Sequence, residues 1–305
     1  MKALITGGGG FCGRHLSDFL IGQGVEVHTI GTRKRENPNH HRISDITSIG
    51  ELSEIVRKLK PGYIFHLAGI SQTTDPIEYY HVNTQYAVAL LSAVESTGIT
   101  DSPVLLAGTS AEYGQVTSGQ LPIKEETVPK PYSHYGISKL SQTLQGLAAS
   151  HKNIPVVITR PFNIIGPGMP PHLVVQSFAT QIVRISNKQD IPVIHTGNLE
   201  SSRDFIDVSD LVKIFWDLIR MPSAMGEVVN VCTGEGILIR QILEKLIEWS
   251  GEPIEVSQDS KRMKDIEIDA HYGCTWKMEQ LLGYRVSLNL EKSLKRILNH
   301  LQNLS

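Results

Sequence analysis

The chain has 305 residues, 40% of them hydrophobic, and 29 Lys and Arg against 31 Asp and Glu leave a formal charge of −2. That length can bury an ample core in one large or two modest domains. The near-neutral balance excludes the basic footprint of a nucleic-acid binder. In chain order, residues 2–6 read as a short buried strand running into Gly7-Gly8-Gly9-Gly10-Phe11-Cys12-Gly13, then into a helical pattern at Leu16, Phe19 and Leu20. A second strand over 25–30 leads to a polar loop at 37–41, followed by a helix over 48–59. Residues 63–67 form a third strand and 78–97 a helix, before a strand at 104–107. A helix carrying Tyr135 and Lys139 extends to about 150, and 155–159 make a further strand. Such alternation predicts an α/β, Rossmann-type doubly wound parallel sheet.

Ligands of such sheets bind outside the carboxyl ends of the strands. Residues 68–71, 109–114 and 160–168 all follow strands, so they converge on one crevice. Pro167, Pro170 and Pro171 mark a change of texture. Beyond them come a helix over 172–187, a strand at 191–195, and a helix over 207–220 capped by Asp207 or Ser209. A strand at 228–231 and amphipathic helices over 237–249 and 290–301 complete the series. The predicted division is a nucleotide-binding domain at 1–165, rejoined by 201–235, and a smaller, partly interleaved substrate lobe at 166–200 and 236–305. Three cysteines (Cys12, Cys232, Cys274) are odd in number and lack metal-ligand spacing, which predicts a reducing compartment and no metal site. Without a leader pattern or an apolar run of bilayer length, a soluble cytoplasmic protein with no membrane contact is expected.

Gly7, Gly10 and Gly13 give G-x-x-G-x-x-G between strand and helix, the arrangement that turns tightly, admits a pyrophosphate and packs helix on strand. The alternative is a merely flexible turn. The second strand ends in Gly31-Thr32-Arg33-Lys34-Arg35, with no acid before Glu36. An acid there would bind a ribose 2′-hydroxyl, whereas Arg suits a 2′-phosphate. NADP(H) is therefore preferred, through Arg33, with NAD(H) second; the bland alternative is a solvated basic loop. Tyr135 and Lys139 lie four apart on one helical face, and an ammonium near a phenol favours phenolate. With Ser110 upstream, this makes a proton donor and acceptor for a carbonyl or hydroxyl.

In order, the glycine turn, Asp45-Ile46, His66-Leu67-Ala68-Gly69, Asn83, Gly108-Thr109-Ser110-Ala111-Glu112-Tyr113-Gly114, Tyr135/Lys139, Arg160-Pro161-Phe162-Asn163-Ile164-Ile165-Gly166-Pro167-Gly168 and Arg203-Asp204-Phe205-Ile206-Asp207-Val208 span nearly the whole chain. This series resembles the extended short-chain dehydrogenase/reductases that act on nucleotide sugars, the NAD-dependent epimerase/dehydratase family. Within it, the chain looks most like the GDP-4-keto-6-deoxy-mannose reductases, which make GDP-rhamnose. The resemblance implies a nucleotide-diphosphate sugar as substrate, with NADPH-dependent reduction of its 4-keto group.

The same resemblance implies that Ser110, with Thr109 as understudy, binds the sugar 4-oxygen. Tyr135 would donate the proton, while Lys139 lowers its pKa and holds the nicotinamide ribose. Cofactor contacts would also fall to Phe11, Cys12, Leu67, Ala68, Gly69, Phe162 and Ile164. Asp45 would bind the adenine amino group with Ile46 against the ring, unless Asp45 simply caps a helix near Thr47. Asn83 would orient the cofactor loop or be an ordinary polar residue of its helix. Ser71, Gln72, Glu112, Asn163, Arg203 and Arg262 would meet the substrate. Met263 stands where the family commonly has proline after that last arginine. The resemblance further implies a homodimer built on the 78–97 and 135–150 helices. Rival readings on the same residues are a 4-epimerase, a 4,6-dehydratase and a non-catalytic NADP sensor.

Overall fold

The strands at 2–6, 63–67 and 104–107 are nearly unbroken apolar runs because each is buried on both sides. The computed structural model describes residues 1–259 and 268–303. Among these, β1 (Lys2–Thr6), β2 (Glu26–Gly31), β3 (His40–Arg42), β4 (Tyr63–His66), β5 (Val104–Ala107), β6 (Val156–Pro161) and β7 (Val228–Val231) form one sheet. Its order is β7-β6-β5-β4-β1-β2-β3, and every pairing is parallel. Alternate side chains serve two cores. Ala3, Ile5, Phe65, Leu105, Val157 and Val229 pack beneath helices Phe11–Gly22 and Val208–Ile219. Leu4, Ile64, Leu106 and Ile158 pack beneath helices Ile49–Leu59 and Tyr86–Thr97. Each fully buried Leu or Ile contributes roughly 1.5–3 kcal/mol.

The chain leaves β1 for β2 on one side and crosses to β4 on the other, so the order reverses between β1 and β4. A crevice opens at such a switch point, beyond the carboxyl ends of the two strands. A third core joins helices Val174–Ser186, Ile239–Ser250 and Leu290–Gln302 through Phe178, Ile182, Ile242, Leu246, Leu294 and Ile297. It is tied to the sheet region by Asn163–Ile165, which runs parallel to Phe205–Asp207.

Two elements differ from expectation. The polar 37–41 stretch runs into β3, held by polar pairs: Thr29 Oγ1 with His40 Nδ1 at 2.8 Å and His28 Nδ1 with His41 Nε2 at 3.0 Å. An apolar alternation could not have announced it. The helix over 78–97 is three pieces, Pro76–Tyr79, a wide π turn at Tyr80–Gln85, and Tyr86–Thr97. Such π turns recur at functional sites, and this one carries the buried Asn83. Among the described residues, no helix is long and apolar enough to cross a membrane, and no cluster of three His, Cys, Asp or Glu could hold a metal ion.

Candidate active site

The floor of the crevice is backbone. A Cβ on Gly13 would overlap Gly7 O, so only glycine lets the helix start press onto the end of β1. Gly7 has φ +72°, and a Cβ there would meet Ala68 N at 2.6 Å. Gly10 precedes helix Phe11–Gly22 as its N-cap without a side-chain cap bond, leaving first-turn amides open to an anion. These features fit a dinucleotide pyrophosphate. Cys12 sits in that first turn, and burial pushes its thiol up to about 12, so it is a filler and not a nucleophile.

The wall beside it hangs on Thr6, whose Oγ1 meets His66 Nδ1 at 2.8 Å and accepts from Ala68 N at 3.3 Å. Burial pushes His66 down to about 3, so it stays neutral. From the π turn, Asn83 Oδ1 accepts from Ile70 N at 2.8 Å, and its Nδ2 donates to Ile70 O at 3.0 Å and Ser138 Oγ at 2.9 Å. Asn83 thus ties the wall at 67–70 to the helix that bears Tyr135 and Lys139.

At the far end of the crevice the guanidinium of Arg35 lies against Gly9, so close that a Cβ on that glycine would overlap it. Arg35 belongs to the same basic run, Arg33-Lys34-Arg35, as the Arg33 expected here. The Arg33 carbonyl accepts from His40 Nε2 at 2.8 Å. Asp45 turns back on itself, Oδ1 accepting from Thr47 N and Thr47 Oγ1, each at 2.8 Å. Those two donors hold its carboxyl below the usual range. Ser48, not Asp45, caps the following helix, accepting from Glu51 N. Ile46 packs against the second core.

The catalytic corner is built from three distant segments. After β5 the chain makes one tight turn, Ser110–Glu112, closed as a capping box. Thr109 Oγ1 accepts from Ala111 N at 3.3 Å, and Glu112 Oε1 accepts from Thr109 N at 3.0 Å. Helix His134–Ser150 starts at the Ser133 cap and lies directly on this turn: a Cβ on Gly136 would fall 2.7 Å from Ala111 O. The Thr109 side chain consequently bears on the Tyr135 phenol. Ser110 is buried within the turn. Of the two hydroxyls expected at the phenol, that of Thr109 bears on it while Ser110 is packed within the turn.

Burial pushes Tyr135 up to about 12; the Thr109 bond opposes this, and Glu112, Cys12 and Tyr79 add to it. The Tyr79 and Tyr135 rings are 6.3 Å apart. Lys139 Nζ donates to Ala107 O at 2.5 Å and Gln142 Oε1 at 2.8 Å, and burial pushes it down to about 8. Lys139 Nζ is thus anchored at the end of β5. A Cβ on Gly69 would nevertheless lie 3.6 Å from Lys139 Nζ, and one on Gly7 would lie 2.6 Å from Ala68 N. The glycine turn, the 67–70 wall and the catalytic helix therefore meet.

Several residues expected at a ligand are engaged elsewhere. Glu112 has no exposed surface; besides Thr109 N it accepts from Thr143 Oγ1 at 2.9 Å and Arg160 Nε at 2.8 Å. The capping box draws its carboxylate back under the turn, which corrects its expected place at the substrate. Burial pushes this carboxyl up while the Arg160 guanidinium opposes it, and a site lined by three donors suits the charged form. Phe162 is buried in a satellite cluster with Tyr113, Ile123 and Cys232. Ile164 borders the first core. Asn163 spends its amide on Asp204 O at 2.8 Å. Arg203 is half-buried, donating to Ser202 O at 2.8 Å. Gln72 is exposed, and Arg262 lies outside the described residues. Ser71 Oγ meets His172 Nε2 at 3.1 Å, bridging the wall and the loop before helix Val174–Ser186.

Residues 3–232 match the NAD dependent epimerase/dehydratase family. The chain is 31% identical to the GDP-6-deoxy-D-mannose reductase of Pseudomonas aeruginosa, covering 98% of this chain and 96% of that protein. It is 30% identical to the GDP-6-deoxy-D-talose 4-dehydrogenase of Aggregatibacter actinomycetemcomitans, over 93% and 92% of the two chains. The solved structure of RMD from Pseudomonas aeruginosa complexed with NADPH superposes with a TM-score of 0.88 at 28% identity, over 100% of this chain and 99% of the other. Fold, corner and kinship agree, and the chain belongs to the NAD dependent epimerase/dehydratase family.

Proposed function

We propose that the protein reduces the 4-keto group of a nucleotide-diphosphate 4-keto-6-deoxy sugar with NADPH, in the manner that yields GDP-rhamnose from GDP-4-keto-6-deoxy-mannose. The observation that carries this reading is the meeting of the Tyr135–Lys139 helix with the 67–70 wall and the glycine turn: a Cβ on Gly69 would lie 3.6 Å from Lys139 Nζ, and one on Gly7 would lie 2.6 Å from Ala68 N. NADP(H) would lie over Gly7, Gly10, Phe11, Cys12 and Gly13, against Leu67, Ala68 and Gly69. Arg33 and Arg35 would hold its 2′-phosphate, and Asp45 and Ile46 its adenine. When bound, it supplies a hydride from nicotinamide C4. Thr109 orients the sugar 4-oxygen, and Tyr135, neutral at pH 7, gives that oxygen its proton. Lys139, poised near 8, supplies an ammonium beside the ribose.

In this reading, 1–165 with 201–235 carry the nucleotide, while 166–200 and 236–305 carry the sugar, its diphosphate falling to Arg203 and Arg262. The buried Glu112 weighs against a 4,6-dehydratase, which needs a further acid–base group at the sugar. Exposed Val88, Ile137 and Leu144 on helices Tyr86–Thr97 and His134–Ser150 support a homodimer through those helices. Three free cysteines support a cytoplasmic setting.

The test is a panel of GDP-, dTDP-, UDP- and CDP-4-keto-6-deoxy sugars, with NADPH oxidation followed optically. Turnover on one of them is expected. Oxidation of none, together with interconversion of unreduced 4-hydroxy sugars on retained NAD, would replace this reading with epimerisation. Light scattering at micromolar concentration checks the dimer; a monomer mass removes it.

A further inference from the structure

Glu112 is unusual in what its two oxygens hold together. The donors come from three elements: Thr109 N in the turn, Thr143 Oγ1 in helix His134–Ser150, and Arg160 Nε in β6. An ion pair serving stability alone could be replaced by packed apolar side chains at little cost. Here the other two bonds fall on the reacting groups' own supports. Thr109 N belongs to the residue whose side chain bears on the Tyr135 phenol. Thr143 lies four residues after Lys139 and eight after Tyr135, on the same face of their helix.

The surroundings are shaped to this bond set. A Cβ on Gly108 would lie 2.5 Å from Glu112 Oε1 and 3.4 Å from Thr143 Oγ1, and Gly136 gives the matching close approach to Ala111 O. Arg160 also covers the Tyr113 ring at 4.6 Å, and Tyr113 donates to Asn230 Oδ1 at 2.7 Å, which anchors the far side of the turn.

We propose that Glu112 is a positioning residue for the reduction: it holds the Thr109 hydroxyl and the Tyr135–Lys139 helix in one register. This role rests on the reductase reading above. The titratable and charged groups facing it are Arg160 from β6, Tyr113 beside it, and Lys139 and Tyr135 from the helix. Glu125 faces Tyr113, and Cys12 faces Lys139 from the glycine turn. The negative charge of Glu112 favours the protonated forms of both Lys139 and Tyr135. Its removal therefore moves the alkaline limb of the kcat profile to lower pH.

The experiment uses the whole chain with its 4-keto sugar and NADPH, comparing Glu112→Asp, Glu112→Gln with Arg160→Gln, and Thr143→Val against wild type. The paired substitution is needed because Glu112→Gln alone leaves a buried guanidinium unmatched. The pair is expected to fold and bind NADPH within about twofold of wild type, with kcat lowered roughly 10- to 100-fold through misalignment and the alkaline limb moved less than loss of Glu112 alone would move it, because the Arg160 charge goes with it. Glu112→Asp keeps the charge, so its kcat falls while its pH limb stays. Thr143→Val is expected to lose roughly three- to tenfold in kcat with the limb unmoved.

Wild-type kcat and pH limb in the folded pair would show that Glu112 merely neutralises Arg160, and would overturn the role. Should the pair not fold, wild-type kcat in folded Thr143→Val overturns it equally. Wild type that oxidises NADPH with no keto sugar removes the reductase reading itself, an outcome distinct from an active wild type with unaffected variants.

Discussion

The two ends of the crevice are built on opposite plans. At the cofactor end, seven consecutive residues, Gly7 to Gly13, make the floor, and what matters is missing side chains: a Cβ at Gly7 or Gly13 collides with backbone. At the catalytic end, Thr109, Glu112, Tyr135, Lys139, Thr143 and Arg160 come from three elements and act through a buried polar net. The first plan fails by collision and the second by misalignment. A substitution at one end should therefore abolish cofactor binding, while one at the other should spare binding and slow the chemistry.

The sharpest test of that contrast is Tyr135→Phe. It removes the proton donor without altering the ring's packing, so kcat should fall about 1,000-fold, the range of a lost general acid. NADPH affinity, read by cofactor fluorescence, should stay within about twofold because the phosphate floor is untouched. Loss of both would mean that the two ends are one unit. Next in size is the pair Thr109→Val and Ser110→Ala. With the Thr109 side chain bearing on the phenol and Ser110 buried in the turn, the first should cost about 100-fold in kcat and the second no more than about threefold. The reverse order would put Ser110 at the sugar 4-oxygen, with Thr109 as its understudy.

How much was legible follows the same division. The sheet was readable since β1, β4, β5 and β6 are buried on both faces and leave continuous apolar runs. The glycine turn was readable as a local word, and the Tyr135/Lys139 pair as a helical spacing. β3 was not, because polar cross-strand bonds hold it. Nor was the π turn that presents Asn83, since no residue type encodes it. Glu112 shows the general reason. Its partners are 3, 31 and 48 residues away, and only a fold that stacks Gly108 against it and Gly136 against the neighbouring Ala111 selects inward burial over the crevice.

The cofactor end also carries a pH signature. His66 beneath the wall is held down to about 3 by burial, below the value of about 6.5 in an unfolded chain. Between those values the unfolded state takes up a proton that the folded state refuses, so stability is full above about 6.5 and declines as pH falls toward 3. From pH 6.5 to 4.5 this one group should remove about 2 kcal/mol of unfolding free energy. Urea titrations of wild type and His66→Gln at both pH values measure it; equal declines in the two would assign the acid sensitivity to other groups.

Arg35→Ala is the finest probe of the cofactor end, because it changes charge without touching the glycine floor. The guanidinium lies against Gly9, two residues beyond the arginine that a reading of strand ends selects. If it meets the 2′-phosphate, its loss should weaken NADPH by about tenfold while leaving NADH unchanged, as expected for one charge-assisted contact of about 1.4 kcal/mol. Arg33→Ala should then have the smaller effect. Parallel titrations of both cofactors against both variants distinguish the outcomes. A tenfold loss for NADPH and NADH alike would place Arg35 on the shared pyrophosphate, turning the cofactor end from a selective site into a merely cationic one. A loss confined to Arg33→Ala would mean that the Arg35 side chain covers the glycine turn only until the nucleotide displaces it. Either result would leave the catalytic corner intact, because its net does not include the basic run.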